Sequence, residues 1–170
     1  MKKLVKNISL AAVALLALSA CSSDEDENEL IDITTPDKAI LNGQWEYSSI
    51  TANPAVDVNG DGVANVDLYN TNEIPACKLD NAYFFYDYAD EGKTFAINEM
   101  DISCGDTPVF NTVERGSYYY NEAKQIIELS NGENWKILKA DKTDLVVEVE
   151  LSFNDKNTTL VTMSFKRKTN

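Results

Sequence analysis

The chain has 170 residues, with 28 acidic and 15 basic side chains, no histidine and a formal net charge of −13 at pH 7. Nucleic-acid binders need basic patches to neutralise phosphate, and proteins that lie flat on anionic bilayers rely on lysine and arginine, so this balance excludes both. The lack of histidine removes the commonest general base and metal ligand from any catalytic scheme.

Lys2, Lys3 and Lys6 flank an apolar run, Ile8 to Leu18, that has the length of a signal-peptide core and is too short to cross a bilayer comfortably. Small residues and a cysteine follow in Leu18-Ser19-Ala20-Cys21. This order resembles the bacterial lipoprotein signal. The resemblance implies removal of residues 1–20, diacylation of Cys21 and anchoring to a lipid bilayer through it. The other reading is a plain secretory signal with Cys21 as a free thiol. Without residues 1–20 the chain keeps 12 basic against 28 acidic side chains, a net charge near −16. Acyl chains would then do the anchoring, at about 0.8 kcal/mol per buried methylene.

Residues 21–37 read as a disordered tether. Asp24-Glu25-Asp26-Glu27-Asn28-Glu29 has no apolar face to bury and extends by self-repulsion. Ser22-Ser23-Asp24-Glu25-Asp26 resembles the acidic export signal of surface lipoproteins of Bacteroidetes-type bacteria. That resemblance implies a lipid anchor in the outer membrane with the protein facing the cell exterior; the alternative is a solvated spacer. Residues 38–170 then form one domain of about 130 residues, enough for a real core.

From Leu41 onward, short strand-like segments follow one another. Gly43 precedes Trp45–Thr51, a mixture of β-formers and serine. Pro54 to Pro75 is the longest stretch without a strand pattern, and within it Val66 to Glu73 reads as a short helix capped by Asn65. In Ala82–Tyr88, Phe84, Tyr86 and Tyr88 share one face, with Tyr83, Phe85 and Asp87 on the other. Thr94–Ile97 is short, and Thr112–Tyr120 ends in three tyrosines. Gln125–Leu129 and Trp135–Lys139 flank Asn131-Gly132, a strong hairpin signal. Leu145, Val147, Val149, Leu151 and Phe153 alternate with Glu148, Glu150 and Ser152, and Val161, Met163 and Phe165 with Thr162, Ser164 and Lys166. Roughly eight antiparallel strands joined by tight turns make a sandwich or a closed barrel.

Two cysteines remain besides Cys21, namely Cys77 and Cys104. In an exported chain an even pair is most simply a disulfide, which would stabilise the fold by about 3–4 kcal/mol. The alternative is two buried free thiols.

Gly43-Gln44-Trp45 opens the first strand and Phe165-Lys166-Arg167 ends the last. This pairing resembles the lipocalin signature. It implies an up-and-down, eight-stranded barrel whose Trp45 sits at the closed end with Arg167 packed across the indole in a cation–π contact. The run from Gly116-Ser117-Tyr118 to Arg167 is similar to the C-terminal half of the lipocalin-like domain of Bacteroidetes-type lipoproteins. The alternative is an unrelated antiparallel sandwich that uses Trp45 as ordinary core.

One stretch carries ligand chemistry. Asp57-Val58-Asn59-Gly60-Asp61-Gly62 follows the D-x-[DN]-x-[DN]-G calcium-loop pattern, in which alternate side-chain oxygens converge on a hard cation while a glycine permits the sharp turn. Asp57, Asn59 and Asp61 would be side-chain ligands, Val63 would offer its carbonyl, and Asn65 would ligate directly or through water. The twelfth position is Leu68, where an EF-hand has glutamate, so closure would fall to Asp67 or to a more distant acid such as Glu73. The expected Ca2+ affinity is that of extracellular modules, about 0.1–1 mM; the alternative is a turn cluster without an ion. In a lipocalin-type barrel this connection would lid the open mouth.

These features suit a surface-displayed binding module for a small amphipathic molecule or a surface protein. Tyrosine-rich strands fit an apolar cavity with polar tips. An accessory subunit with a side-chain-filled barrel is the alternative. Catalysis is not expected: no G-x-S-x-G elbow, phosphate loop or spare reactive cysteine accompanies the missing histidine.

Overall fold

Alternating inward and outward side chains force each strand to bury one face, and the strands do so by closing on themselves. The computed structural model describes residues 40–88, 92–105, 109–153 and 158–169. The signal segment 1–20, Cys21 and the tether 21–37 lie outside the described residues. In chain order the elements are β1 (Gly43–Val56), β2 (Asn65–Asp67), α1 (Ala76–Leu79), β3 (Ala82–Tyr88), β4 (Gly92–Asn98), β5 (Thr112–Asn121), β6 (Ile126–Leu129), β7 (Asn134–Ala140), β8 (Asp144–Ser152) and β9 (Thr158–Arg167).

The sheet has nine strands in the order β2-β1-β3-β4-β5-β6-β7-β8-β9, and β1 also pairs with β9. Every pairing is antiparallel. Removing β2 leaves a closed, eight-stranded up-and-down barrel, the architecture expected from the sequence. β1 makes closure possible by its length. Its first residues pair with β3, from Gly43 opposite Phe85 to Glu46 opposite Ala82. Its other edge pairs with β9 from Trp45 opposite Arg167 to Asn53 opposite Leu160. Beyond Glu46, β3 leaves it, and Thr51 and Val56 pair instead with Asp67 and Asn65 of β2.

The expected helix over Val66–Glu73 is not formed. Polar side chains there bond to nearby backbone and so compete with helical hydrogen bonds. Asp67 Oδ1 accepts from the amides of Tyr69 and Asn70, and Thr71 Oγ1 donates to the Asp67 carbonyl. The short helix falls later, just after Pro75, whose fixed φ suits a helix start.

Alternation of strand direction gives the barrel two ends. At the base lie the chain's approach through Ile40 and Leu41, the β5–β6 and β7–β8 turns, and Arg167. At the mouth lie the β1–β3 connection, the β4–β5 loop and the β6–β7 turn. At the base, Trp45 is fully buried and its Nε1 donates to the Leu41 carbonyl at 2.8 Å. The Arg167 guanidinium lies 4.6 Å from the indole centroid and donates to the carbonyls of Asn42 and Ile40. Gly43 has φ +134, and a Cβ there would sit 3.3 Å from Arg167 Nη1. The glycine in G-x-W is therefore required both by backbone conformation and by the approach of the arginine.

Above this plug the interior is aromatic. Phe165 stacks on Tyr47 at 4.8 Å and on Trp135 at 5.7 Å, while Tyr83 meets Tyr47 and Phe165 edge-on at 5.5 and 5.4 Å. Phe85, Phe95, Tyr118 and Tyr120 continue the buried surface toward β5. Each such ring pair contributes about 0.5–1.5 kcal/mol beyond the area it buries. The Tyr47 and Tyr83 hydroxyls bond to each other at 2.9 Å. Burial pushes the Tyr47 phenol up to about 12 and the Tyr83 phenol well above its ordinary value. Of the tyrosines expected to line a cavity, Tyr83, Tyr118 and Tyr120 face inward, Tyr86 stacks outside on Phe84, and Tyr119 is exposed; the side chain of Tyr88 lies outside the described residues.

Gly116 on β5 lies opposite Phe95, and a Cβ there would come within 2.2 Å of Ser130 Oγ and 2.7 Å of the Phe95 ring. Gly116→Val is expected to cost about 1–3 kcal/mol or more through overpacking, read as a lower urea midpoint at unchanged slope. An unchanged midpoint would show that β5 and β6 can separate without loss.

Candidate functional site

The β1–β3 connection is built around its carboxylates. Asp57 receives the amides of Gly60 at 2.7 Å and Gly62 at 2.9 Å on its two oxygens. Gly60 and Gly62 adopt φ +81 and +88, which lets the backbone curl around that side chain. Asn59 Oδ1 accepts from the Asp61 amide and Asp61 Oδ1 from the Val63 amide. The alternating D-x-N-x-D pattern thus appears as successive side-chain-to-backbone turns.

Glu73 closes the loop from below. Its Oε2 accepts from the amides of Val58 at 2.7 Å and Asn59 at 3.0 Å, and its Oε1 from Asn65 Nδ2 at 2.6 Å. It is shielded from solvent. One carboxylate oxygen each of Asp57, Asp61 and Glu73 lie within 4.8 Å of one another. Like charges at that spacing repel unless N–H donors or a cation offset them.

The six residues singled out in the sequence separate into groups. Asp57 and Asp61 converge with Glu73, the more distant acid considered for closure. Asn59 lies between them, its Nδ2 3.2 Å from Asp61 Oδ2. The Val63 carbonyl accepts weakly from Asn65, whose amide chiefly holds Glu73. Asp67 serves its own turn, bonded to Tyr69 and Asn70. The role of Asn65 as the donor that orients Glu73 was not visible beforehand, because the two lie eight positions apart with no regular repeat to bring them together.

The loop continues into a lid. Leu68 is fully buried and its amide donates to the Ile50 carbonyl at 2.9 Å, so the lid extends β1's pairing where β3 has departed. Tyr69, Ile74 and Leu79 pack on the aromatic core. Cys77 on α1 is joined to Cys104 in the β4–β5 loop. The Ile102 amide donates to Asp80 Oδ2 at 2.7 Å and the Cys104 amide to buried Glu99 at 3.1 Å. The lid's end and the β4–β5 loop are therefore one fastened unit. Glu99, which secures it, carries no sequence signal beyond its place after a strand.

No protein-family model matches the chain, and no curated protein matches it. Among solved structures, apocrustacyanin C2 is similar, with 18% identity and a TM-score of 0.44 over 85% of this chain and 70% of that one. The barrel assignment stands on this chain's own strand pairing.

Asn65 first, then the Asn59 and Val58 amides, hold the Glu73 carboxyl below its ordinary 4.5, against its shielding from solvent and the Asp57 charge. A depressed folded value contributes stability above pH ~4.5 that is lost as pH falls through it. Glu73→Gln is expected to lower stability at pH 7 by about 1–3 kcal/mol, since amide hydrogens would meet amide hydrogens. It should also flatten the decline below pH 4.5, as read by urea unfolding across pH 3–7. An unchanged acid profile would remove Glu73 from the loop's electrostatics.

Proposed function

We propose that the protein is a lipid-anchored binding protein of the outer-membrane surface that holds its ligand or partner at the lidded mouth of the barrel. In this reading the loop 57–73 binds Ca2+ through Asp57, Asp61 and Glu73, with Asn59 and backbone carbonyls completing the oxygen set. The observation that carries it is the convergence of those three carboxylates in the segment that packs across the mouth. A cation there would offset their repulsion and stiffen the lid, while the Cys77–Cys104 bond fixes the lid's far end.

The anchor fits the same arrangement. The chain reaches the barrel at Ile40, beneath Trp45 and Arg167. A tether from acylated Cys21 would arrive at that end and leave the mouth pointing away from the bilayer. The phenols, carboxylates and aromatic faces of the described residues supply the chemistry of recognition.

A second reading, the accessory subunit with a filled barrel, is favoured by the rings that stack through the interior from Tyr47 to Phe85. Any small ligand would have to sit above this floor, under the lid.

Calorimetric titration with CaCl2 should give a Kd of about 0.1–1 mM, and Asp57→Ala with Asp61→Ala should abolish the heat. At ten times Kd, calcium should stabilise the fold by about 1.4 kcal/mol and slow amide exchange across residues 57–73. Absence of both effects would sink the cation lid. Cys21→Ser should release the chain from the membrane fraction, and retention there would overturn the anchor.

A further inference from the structure

The β4–β5 loop presents apolar side chains to solvent. The pairing of its strands continues beyond their ends: the Glu99 amide donates to the Asn111 carbonyl at 2.9 Å and the Phe110 amide to the Met100 carbonyl at 3.2 Å. Ile102, Val109, Phe110 and Val113 therefore belong to one extended hairpin, and they are 47%, 43%, 61% and 48% exposed. Four of the eight exposed large hydrophobic side chains among the described residues thus fall in this one hairpin, a concentration that single scattered apolar residues do not give. Phe110 also has φ +62, a left-handed conformation that is an outlier for a bulky residue. The hairpin thus holds an aromatic side chain outward from a strained backbone position instead of burying it.

Two further observations describe what would cover it. The hairpin is rigid at its root, held by the Cys77–Cys104 bond and by Asp80 on the Ile102 amide, so little ordering is lost when it docks. Its charge is one-sided: the sequence has no lysine or arginine between Lys93 and Arg115, while the described residues Glu99, Asp101 and Glu114 fall there. The lid beside it, residues 54–81, adds Asp57, Asp61, Asp67, Glu73 and Asp80 against Lys78 alone. An anionic bilayer would be repelled from this end.

We propose that the β4–β5 hairpin is the docking surface for a partner-protein segment that presents apolar side chains flanked by lysine or arginine. Phe110 is its anchor and Val113 and Ile102 its flanks; the acidic surround steers the approach and sets its salt dependence. The proposal rests on the reading of the mouth as the binding end and names the partner's chemistry.

The test uses the full anchored chain in phosphatidylcholine nanodiscs, with empty discs as blank. The probe is a labelled 14-residue peptide of alternating lysine and leucine, read by fluorescence anisotropy. We expect saturable binding that weakens as salt rises. Phe110→Asn with Val113→Ser should weaken it at least tenfold, and Asp101→Lys should weaken it and reduce the salt dependence. Asparagine tolerates the left-handed conformation, so the melting temperature should stay level or rise, separating lost contact from lost fold. Equal binding by the double variant, or by a glutamate–leucine peptide, would overturn the proposal. So would protection of the hairpin amides by the disc alone, which would mark a membrane contact. Calcium binding without peptide binding would remove the hairpin and leave the lid. Peptide binding by a chain that takes no calcium would remove the cation lid and leave the hairpin.

Discussion

The whole structure depends on β1 satisfying two neighbours at once. A barrel has no edge only if its first strand pairs with its last, and here β1 gives one side to β9 while sharing the other between β3 and β2. Its 14 residues are enough to do this because a bulge between Tyr47 and Ser49 keeps Trp45, Tyr47, Ile50 and Ala52 facing inward along its length. The seam is locked at the base by Arg167, the last residue of β9. Its guanidinium bridges the Trp45 face and the carbonyls of Ile40 and Asn42, binding three parts of the chain in one place. Desolvation lowers its pKa from the ordinary value, but an arginine stays charged at any physiological pH, so the contact is permanent.

Because β3 leaves β1 after Glu46, the upper half of β1 would be an open edge. The lid exists to cover it. β2 and Leu68 take up the free hydrogen-bonding groups, and the apolar side chains of Tyr69, Ile74 and Leu79 drop onto the aromatic core. The same segment must turn sharply twice, which explains its glycines and its run of Asn and Asp. A loop built of side-chain oxygens that cap backbone amides already has the oxygens a hard cation needs. Structural turn chemistry and candidate ligand chemistry therefore coincide in Asp57, Asp61 and Glu73.

The two ends of the barrel differ in charge. Around the base, Lys139, Lys166 and Lys168 are paired with Asp141, Asp144 and Glu46, and Asp141 and Asp144 are held below the ordinary carboxylate range, with Lys139 and Lys166 among their partners. At the mouth the acids far outnumber the bases. Exposed ion pairs such as those at the base add little stability singly. The distribution matters more for approach: among the described residues, the excess of acidic over basic side chains gathers where the lid and the β4–β5 hairpin stand.

Much of this was legible from residue order. Period-two alternation from Leu145 to Phe165 marked β8 and β9, Asn131-Gly132 marked the β6–β7 turn, and Gly43-x-Trp45 with Arg167 indicated a barrel closed at its base. The D-x-N-x-D-G run marked the turn-forming loop, because local side-chain-to-backbone bonds act within a few residues. The helix expected over Val66–Glu73 failed for two reasons, one local and one not: Asp67 and Thr71 bond to nearby backbone, and the free edge of β1 claims Asn65, Asp67 and Leu68. Glu73 meeting Asp57, Asn65 orienting Glu73, Asp80 holding Ile102 and Phe110 standing outward are likewise unreadable in advance. Each depends on segments that come together only after the strands have rolled up. Local pattern determined the strands and the turns, because those follow from short-range sterics and hydrogen bonding. Tertiary closure alone decided which acids converge and which apolar residues remain uncovered, because both depend on where β1 runs out of strand partners.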